Sequence, residues 1–239
     1  MKKIARKLIG LTIGIIIGAT TVANAQEKWE ASVGADLVSS YIWRGQDLGG
    51  VSIQPSISIA KSGFSLTAWG SVGFDKPDYA EGKDLQEIDL TLGYEIKGFS
   101  IAVTDYYLNE ESKYFNYSSH SSPHVFEATL GYDFGPVALC WNTNFAGNDY
   151  YKADGKRAYS TYIEASAPFK ISGIDFCAEV GLTPWEGMYS EGSDFCVTNL
   201  GIKAAKDIQI TKSFTIPVFA KLTFNPRTEG AYFAFGLSL

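Results

Sequence analysis

From His124 to Phe145 the chain alternates between two kinds of surface at every residue. His124, Phe126, Ala128, Leu130, Tyr132 and Phe134 fall on one face, and Val125, Glu127, Thr129, Gly131 and Asp133 on the other. A period of two is the geometry of a β-strand whose faces meet different surroundings. Gly135-Pro136 is a turn dipeptide, after which Val137, Leu139, Trp141, Thr143 and Phe145 alternate with Ala138, Cys140, Asn142 and Asn144. Each arm of this hairpin is close to the roughly 9–11 residues with which a tilted strand crosses a bilayer.

The unit recurs. Residues 29–44 read as one long strand, followed by strands over 51–60, 64–74, 88–96 and 99–108 before the hairpin and over 159–169, 174–183, 195–205, 214–224 and 231–239 after it. The total is about twelve. Connections at 61–63, 97–98, 135–136 and 170–173 are short, whereas those at 75–84, 109–123, 146–157 and 184–194 are long and polar. Such parity predicts an all-β, antiparallel transmembrane barrel of about twelve strands, with short periplasmic turns, long external loops and both termini in the periplasm. The alternation of residues 231–239 up to the C-terminus fits a strand presented to the barrel-assembly machinery.

Residues 1–25 carry a basic head (Lys2, Lys3, Arg6, Lys7), an apolar middle and the small-residue tail Ala23-Asn24-Ala25, the pattern of a cleaved secretory signal. Export followed by outer-membrane insertion of residues 26–239 as one domain is the expectation. Cleavage leaves 16 Lys and Arg against 26 Asp and Glu, a net charge of −10, which argues against a nucleic-acid partner. Cys140, Cys177 and Cys196 are odd in number and lack framework or metal-ligand spacing, so they read as small packing residues.

A charge facing lipid near the bilayer midplane costs about 2–4 kcal/mol for Lys or Arg and less for Asp or Glu. On the apolar faces Asp105 is the one charge, and a β-bulge at Thr104-Asp105, turning Asp105 inward and Tyr106 and Leu108 outward, would remove it. The other face collects Asp36, Arg44, Glu87, Asp89, Glu127, Glu164, Glu179, Lys203 and Lys221, the candidate pore-lining residues. Six acids against three bases predict a weak preference for cations. Strand glycines such as Gly181, Gly201 and Gly236 fall on this face, where they would leave room in the bore.

The run Ser39-Ser40-Tyr41-Ile42-Trp43-Arg44-Gly45, with Pro55-Ser56-Ile57, Trp69-Gly70-Ser71, Glu87-Ile88-Asp89-Leu90 and Leu92-Gly93-Tyr94, resembles the TorF family of outer-membrane porins. The resemblance covers most of the first two-thirds of the chain and implies an outer-membrane barrel and a candidate pore; it brings no solute and no catalytic residue.

Enzyme chemistry is not expected. His120 and Ser122 stand as a His-x-Ser pair, but the Asn-Gly that follows in outer-membrane phospholipases is replaced by Pro123-His124. His120 and His124 read as a surface pair, and no metal or other cofactor is implied. Gly45, Gly49 and Gly50 lie in a loop with no following helix, so no phosphate cradle is expected. The favoured expectation is a passive channel for small hydrophilic solutes, in contact with outer-membrane lipid; the alternatives are a barrel without an open pore whose loops bind a partner, and a lipid-active enzyme.

Overall fold

A computed structural model describes residues 28–74, 86–108, 113–118, 122–190 and 192–239. Residues 1–25, expected to be a cleaved signal, lie outside the described residues. Twelve antiparallel strands form a closed barrel: β1 (Glu30–Val38), β4 (Ser52–Lys61), β5 (Phe64–Gly73), β6 (Gln86–Ile96), β7 (Phe99–Leu108), β8 (His124–Asp133), β9 (Ala138–Gly147), β10 (Thr161–Ile171), β11 (Ile174–Thr183), β12 (Cys196–Gln209), β13 (Thr215–Asn225) and β14 (Gly230–Ser238). Wall strands follow one another in sequence order around the barrel. The seam closes between β1 and β14 through Leu37 opposite Leu237 and reciprocal backbone bonds between Ala35 and Leu239.

At one end the turns are two-residue hairpins. Ser62-Gly63, Lys97-Gly98 and Ser172-Gly173 all have positive φ at both positions, the geometry of type I′ turns, whose twist matches that of the strands they join. These turns set the register, and with it which side chains face out. At the other end the connections are long, except the tight one between β13 and β14.

Outward residues such as Val33 (80% exposed) and Phe233 (65%) are apolar, while the inward face carries buried Thr104, Glu127 and Lys203. This is the reverse of a soluble domain. The bore is also well filled. The space left by the inward glycines is taken by neighbours: Gly181 lies under the Tyr162 ring and Gly236 under Phe219, so these glycines admit large rings and do not widen a passage.

Four expectations are corrected. First, residues 29–44 are not one strand: β1 ends at Val38, Ser39 bonds β14 through its amide and hydroxyl, and the chain then leaves the wall as a separate two-stranded sheet of β2 (Tyr41–Trp43) and β3 (Gln46–Gly49). Second, β12 runs on to Gln209, because Lys206 to Gln209 continue its register with β13. Third, there is no bulge at Thr104-Asp105, where pairing with β6 and β8 is regular. Tyr106 points inward, and Asp105 stays on the outer face beside His124, whose Nδ1 lies 2.7 Å from Asp105 Oδ1. Tyr114 and Tyr117, from the connection before β8, cover the pair. A hydrogen-bonding partner and an aromatic cover thus replace the bulge as the means of accommodating Asp105 on this face. Fourth, His124 is no surface residue: it is fully buried, and its Nε2 donates to the Tyr114 carbonyl.

Bulges do occur, at Phe145 of β9 and Thr198 of β12, where register shifts leave one residue extra against the neighbouring strand.

Candidate functional site

The β2–β3 hairpin turns at Arg44-Gly45, with φ of 50° and 82°, the same X-Gly type I′ geometry as the end turns. Its contacts come from around the wall. Tyr41 donates to Glu87 Oε2 of β6 (2.8 Å) and packs edge-on against Trp69 of β5. At the tip, the Gly45 carbonyl accepts from Asn225 Nδ2 of β13 (3.0 Å). A Cβ on Gly45 would stand 1.8 Å from the Thr198 carbonyl oxygen, so the tip is seated directly on the β12 bulge. The hairpin therefore crosses the bore from β5 and β6 to β12 and β13.

Arg44 is its anchor. The guanidinium donates to Glu127 through both terminal nitrogens, Nη1 to Oε2 at 2.5 Å and Nη2 to Oε1 at 2.8 Å, and Nη1 also donates to the Tyr189 oxygen. Three rings surround it, with Trp43, Tyr162 and Tyr189 centroids 4.3, 4.8 and 5.3 Å from its central carbon. Tyr106 donates to Glu127 Oε1 at 2.9 Å and fixes the carboxylate from the far side. Arg44 is 5% exposed and Glu127 1%. A planar cation stacked on aromatic faces and bound fork-to-fork by a carboxylate is the strongest form of a charged hydrogen bond. Burial also pushes the Tyr189 phenol, on the β11–β12 connection, above its ordinary range, so it stays neutral beside the Arg44–Glu127 pair.

A family model described as a bacterial protein of unknown function, Gcw_chp, matches residues 22–217. The chain belongs to the Gcw_chp family. A comparison with curated proteins returns no match. The part of this Gcw_chp chain that the family covers includes the whole hairpin and its partners as far as β12, and it ends within β13.

The remaining predicted residues of the Gcw_chp chain face inward in two groups. Glu87 and Asp89 accompany the hairpin: Asp89 lies opposite Tyr106 in the β6–β7 register, and its Oδ1 is buried without a hydrogen-bond partner among the described residues. Glu164, Glu179, Lys203 and Lys221 form the second group on β10 to β13. Here Lys221 donates to Glu179 at 2.6 Å, Lys203 lies over the Phe219 ring at 4.4 Å, and Tyr162 donates to Glu164 at 2.6 Å. Asp36 stands opposite Gln54 and Ser238 at the seam. Of the six acids, Glu127 and Glu179 are thus in direct ion pairs.

Sequence reasoning missed Tyr41, Trp43, Tyr106, Tyr162 and Tyr189 as site residues. Arg44-Gly45 followed the pattern of Ser62-Gly63 and Lys97-Gly98, so the hairpin turn was detectable; Tyr189, in a polar connection, carried no such signal. Cys140, Cys177 and Cys196 are not joined in disulfides. The His120 candidate lies outside the described residues, while Ser122 accepts from the His124 amide.

Proposed function

We propose that this Gcw_chp protein is an outer-membrane channel for small hydrophilic solutes, held closed at rest by the β2–β3 hairpin. The observation that carries the reading is the Arg44–Glu127 pair, which ties a non-wall element across the bore of a barrel with an apolar exterior and an ionic interior. A barrel that needed only a packed core would gain by filling it with apolar residues, since buried ion pairs commonly stabilise less than apolar groups of equal volume. Charged, hydroxylated inward residues suit a surface that water and solutes at times occupy. The outward band and the alternation of short and long connections support a bilayer setting, with the short turns periplasmic. The likeness to TorF porins points the same way.

Planar-bilayer recording tests the reading. The unmodified protein is expected to show rare or no current steps, and a variant with residues 40–50 replaced by a short turn is expected to show frequent discrete steps. Silence from the shortened variant, with a folded barrel, would sink the channel. It would favour the competing reading of a barrel that never conducts and acts through its loops, which the closely filled bore also fits.

A further inference from the structure

We propose that the cage around Arg44 is a binding site for guanidinium and related organic cations, and that Arg44 is its built-in occupant, displaced when such a solute arrives. The opening that follows rests on the channel reading above; the binding itself does not.

Withdrawing Arg44 takes Trp43 with it, since both belong to the hairpin, but the rest of the cage belongs to the wall and its connections. Glu127 stays fixed by Tyr106, and Tyr162 and Tyr189 keep their place, their ring centroids 5.8 Å apart. What remains is a buried carboxylate flanked by aromatic faces. That arrangement selects its ligand by chemistry. An anion would be repelled, and a neutral sugar would leave Glu127 a buried charge with no counter-ion, a state that is strongly disfavoured. A simple ammonium is a point charge and does not supply the planar, two-pronged donor set that Glu127 now receives. A guanidinium reproduces both the fork and the stacking.

A second observation adds to the specification. Asp89, whose side chain shares a hydrogen bond with Glu87, keeps its Oδ1 buried and without a hydrogen-bond partner among the described residues, next to Tyr106 on the side away from Glu127. A ligand with a guanidinium at one end and a second cationic donor at the other would meet both carboxylates. Agmatine has that form.

The test uses the full protein purified from membranes in detergent, with heat-modifiable gel migration to show a closed barrel. Agmatine binding is followed by tryptophan fluorescence and calorimetry. Arg44→Ala is expected to bind agmatine about tenfold or more tightly than the unmodified protein, because the site has lost its resident cation, and adding Glu127→Gln should reverse that gain. Urea, planar but uncharged, should have no effect. Equal affinity of Arg44→Ala and the unmodified protein, or full affinity in the double variant, would overturn the inference. If Arg44→Ala does not close its barrel, Arg44→Lys serves, since it keeps the charge but loses the fork and should yield to agmatine more readily than arginine does. Conductance separates this inference from the channel reading. Current steps from the hairpin-shortened barrel, together with agmatine that fails to bind Arg44→Ala, would leave the channel standing and remove the site. Agmatine binding in Arg44→Ala, with no variant conducting, would do the reverse.

Discussion

Asp105 and Arg44 solve the same problem in opposite places. Each is an ionisable group shielded from water, and each is held by an ionisable partner among aromatic rings: Asp105 by His124 beneath Tyr114 and Tyr117 on the outside, Arg44 by Glu127 among Trp43, Tyr162 and Tyr189 within. Removing one member strands the other. His124→Ala is expected to lower stability by about 3 kcal/mol in a denaturant titration, whereas Asp105→Leu combined with His124→Leu should recover most of the loss, because an apolar pair needs no compensation there. An undiminished single variant would show that the outer pair contributes nothing. Gly45 has a different constraint, since its φ of 82° and the Thr198 carbonyl both exclude a side chain. Gly45→Ala should unseat the hairpin tip while Arg44 is intact, and bilayer recording should then show steps that the unmodified protein lacks; an unchanged trace would mean that the tip seat is dispensable.

At the level of elements, the hairpin is the one sheet among the described residues that is not wall. It leaves β1 at Ser39 and returns to β4 at Ser52, and β1 and β4 pair with each other over nine positions without it. The barrel therefore does not depend on it for closure. Replacing residues 40–50 by a short turn is expected to leave heat-modifiable migration intact and to change the thermal transition only modestly. Collapse of the barrel on this deletion would show that the hairpin is a core element and not a removable closure. The bulges at Phe145 and Thr198 support the same division, because one lies beside Glu127 and the other under Gly45, at the two places where the wall must be shaped to receive the insert.

For the whole molecule, the inward charges set the expected selectivity. With Glu127 satisfied by Arg44 and Glu179 by Lys221, the inward acids without a direct ion pair among the described residues are Asp36, Glu87, Asp89 and Glu164. An open form should prefer cations weakly, and Glu87→Gln with Glu164→Gln should move the zero-current potential in a salt gradient toward zero more than Glu179→Gln does. The preference should fade near ~1 M salt, where the screening length is about 3 Å. An anion preference in that open form would contradict this. Orientation has its own measurement: with the native cysteines replaced, a thiol at the exposed Asp154, in the β9–β10 connection, should react with an impermeant reagent on intact cells and one at Gly63 should not. The opposite result would invert the barrel.

The alternation of residues such as His124 to Phe134 determined the all-β class, the twelve wall strands and the inward direction of Asp36, Glu87, Asp89, Glu127, Glu164, Glu179, Lys203 and Lys221, because period two is a local property of an extended chain. The break at Ser39 was not legible, since Tyr41 and Trp43 resume the face of β1 after that single polar residue, and their contacts inside the barrel come from strands distant in sequence. Asp105 shows the same limit. Its neighbours in sequence predicted a bulge, but the relief came from His124, 19 residues away, and from a connection folded over both. Local pattern fixes which face a side chain takes on its own strand. Which partner it meets depends on strand register and on where the loops settle, so the cage of Arg44, assembled from a hairpin, three strands and a connection, existed only once the barrel had closed.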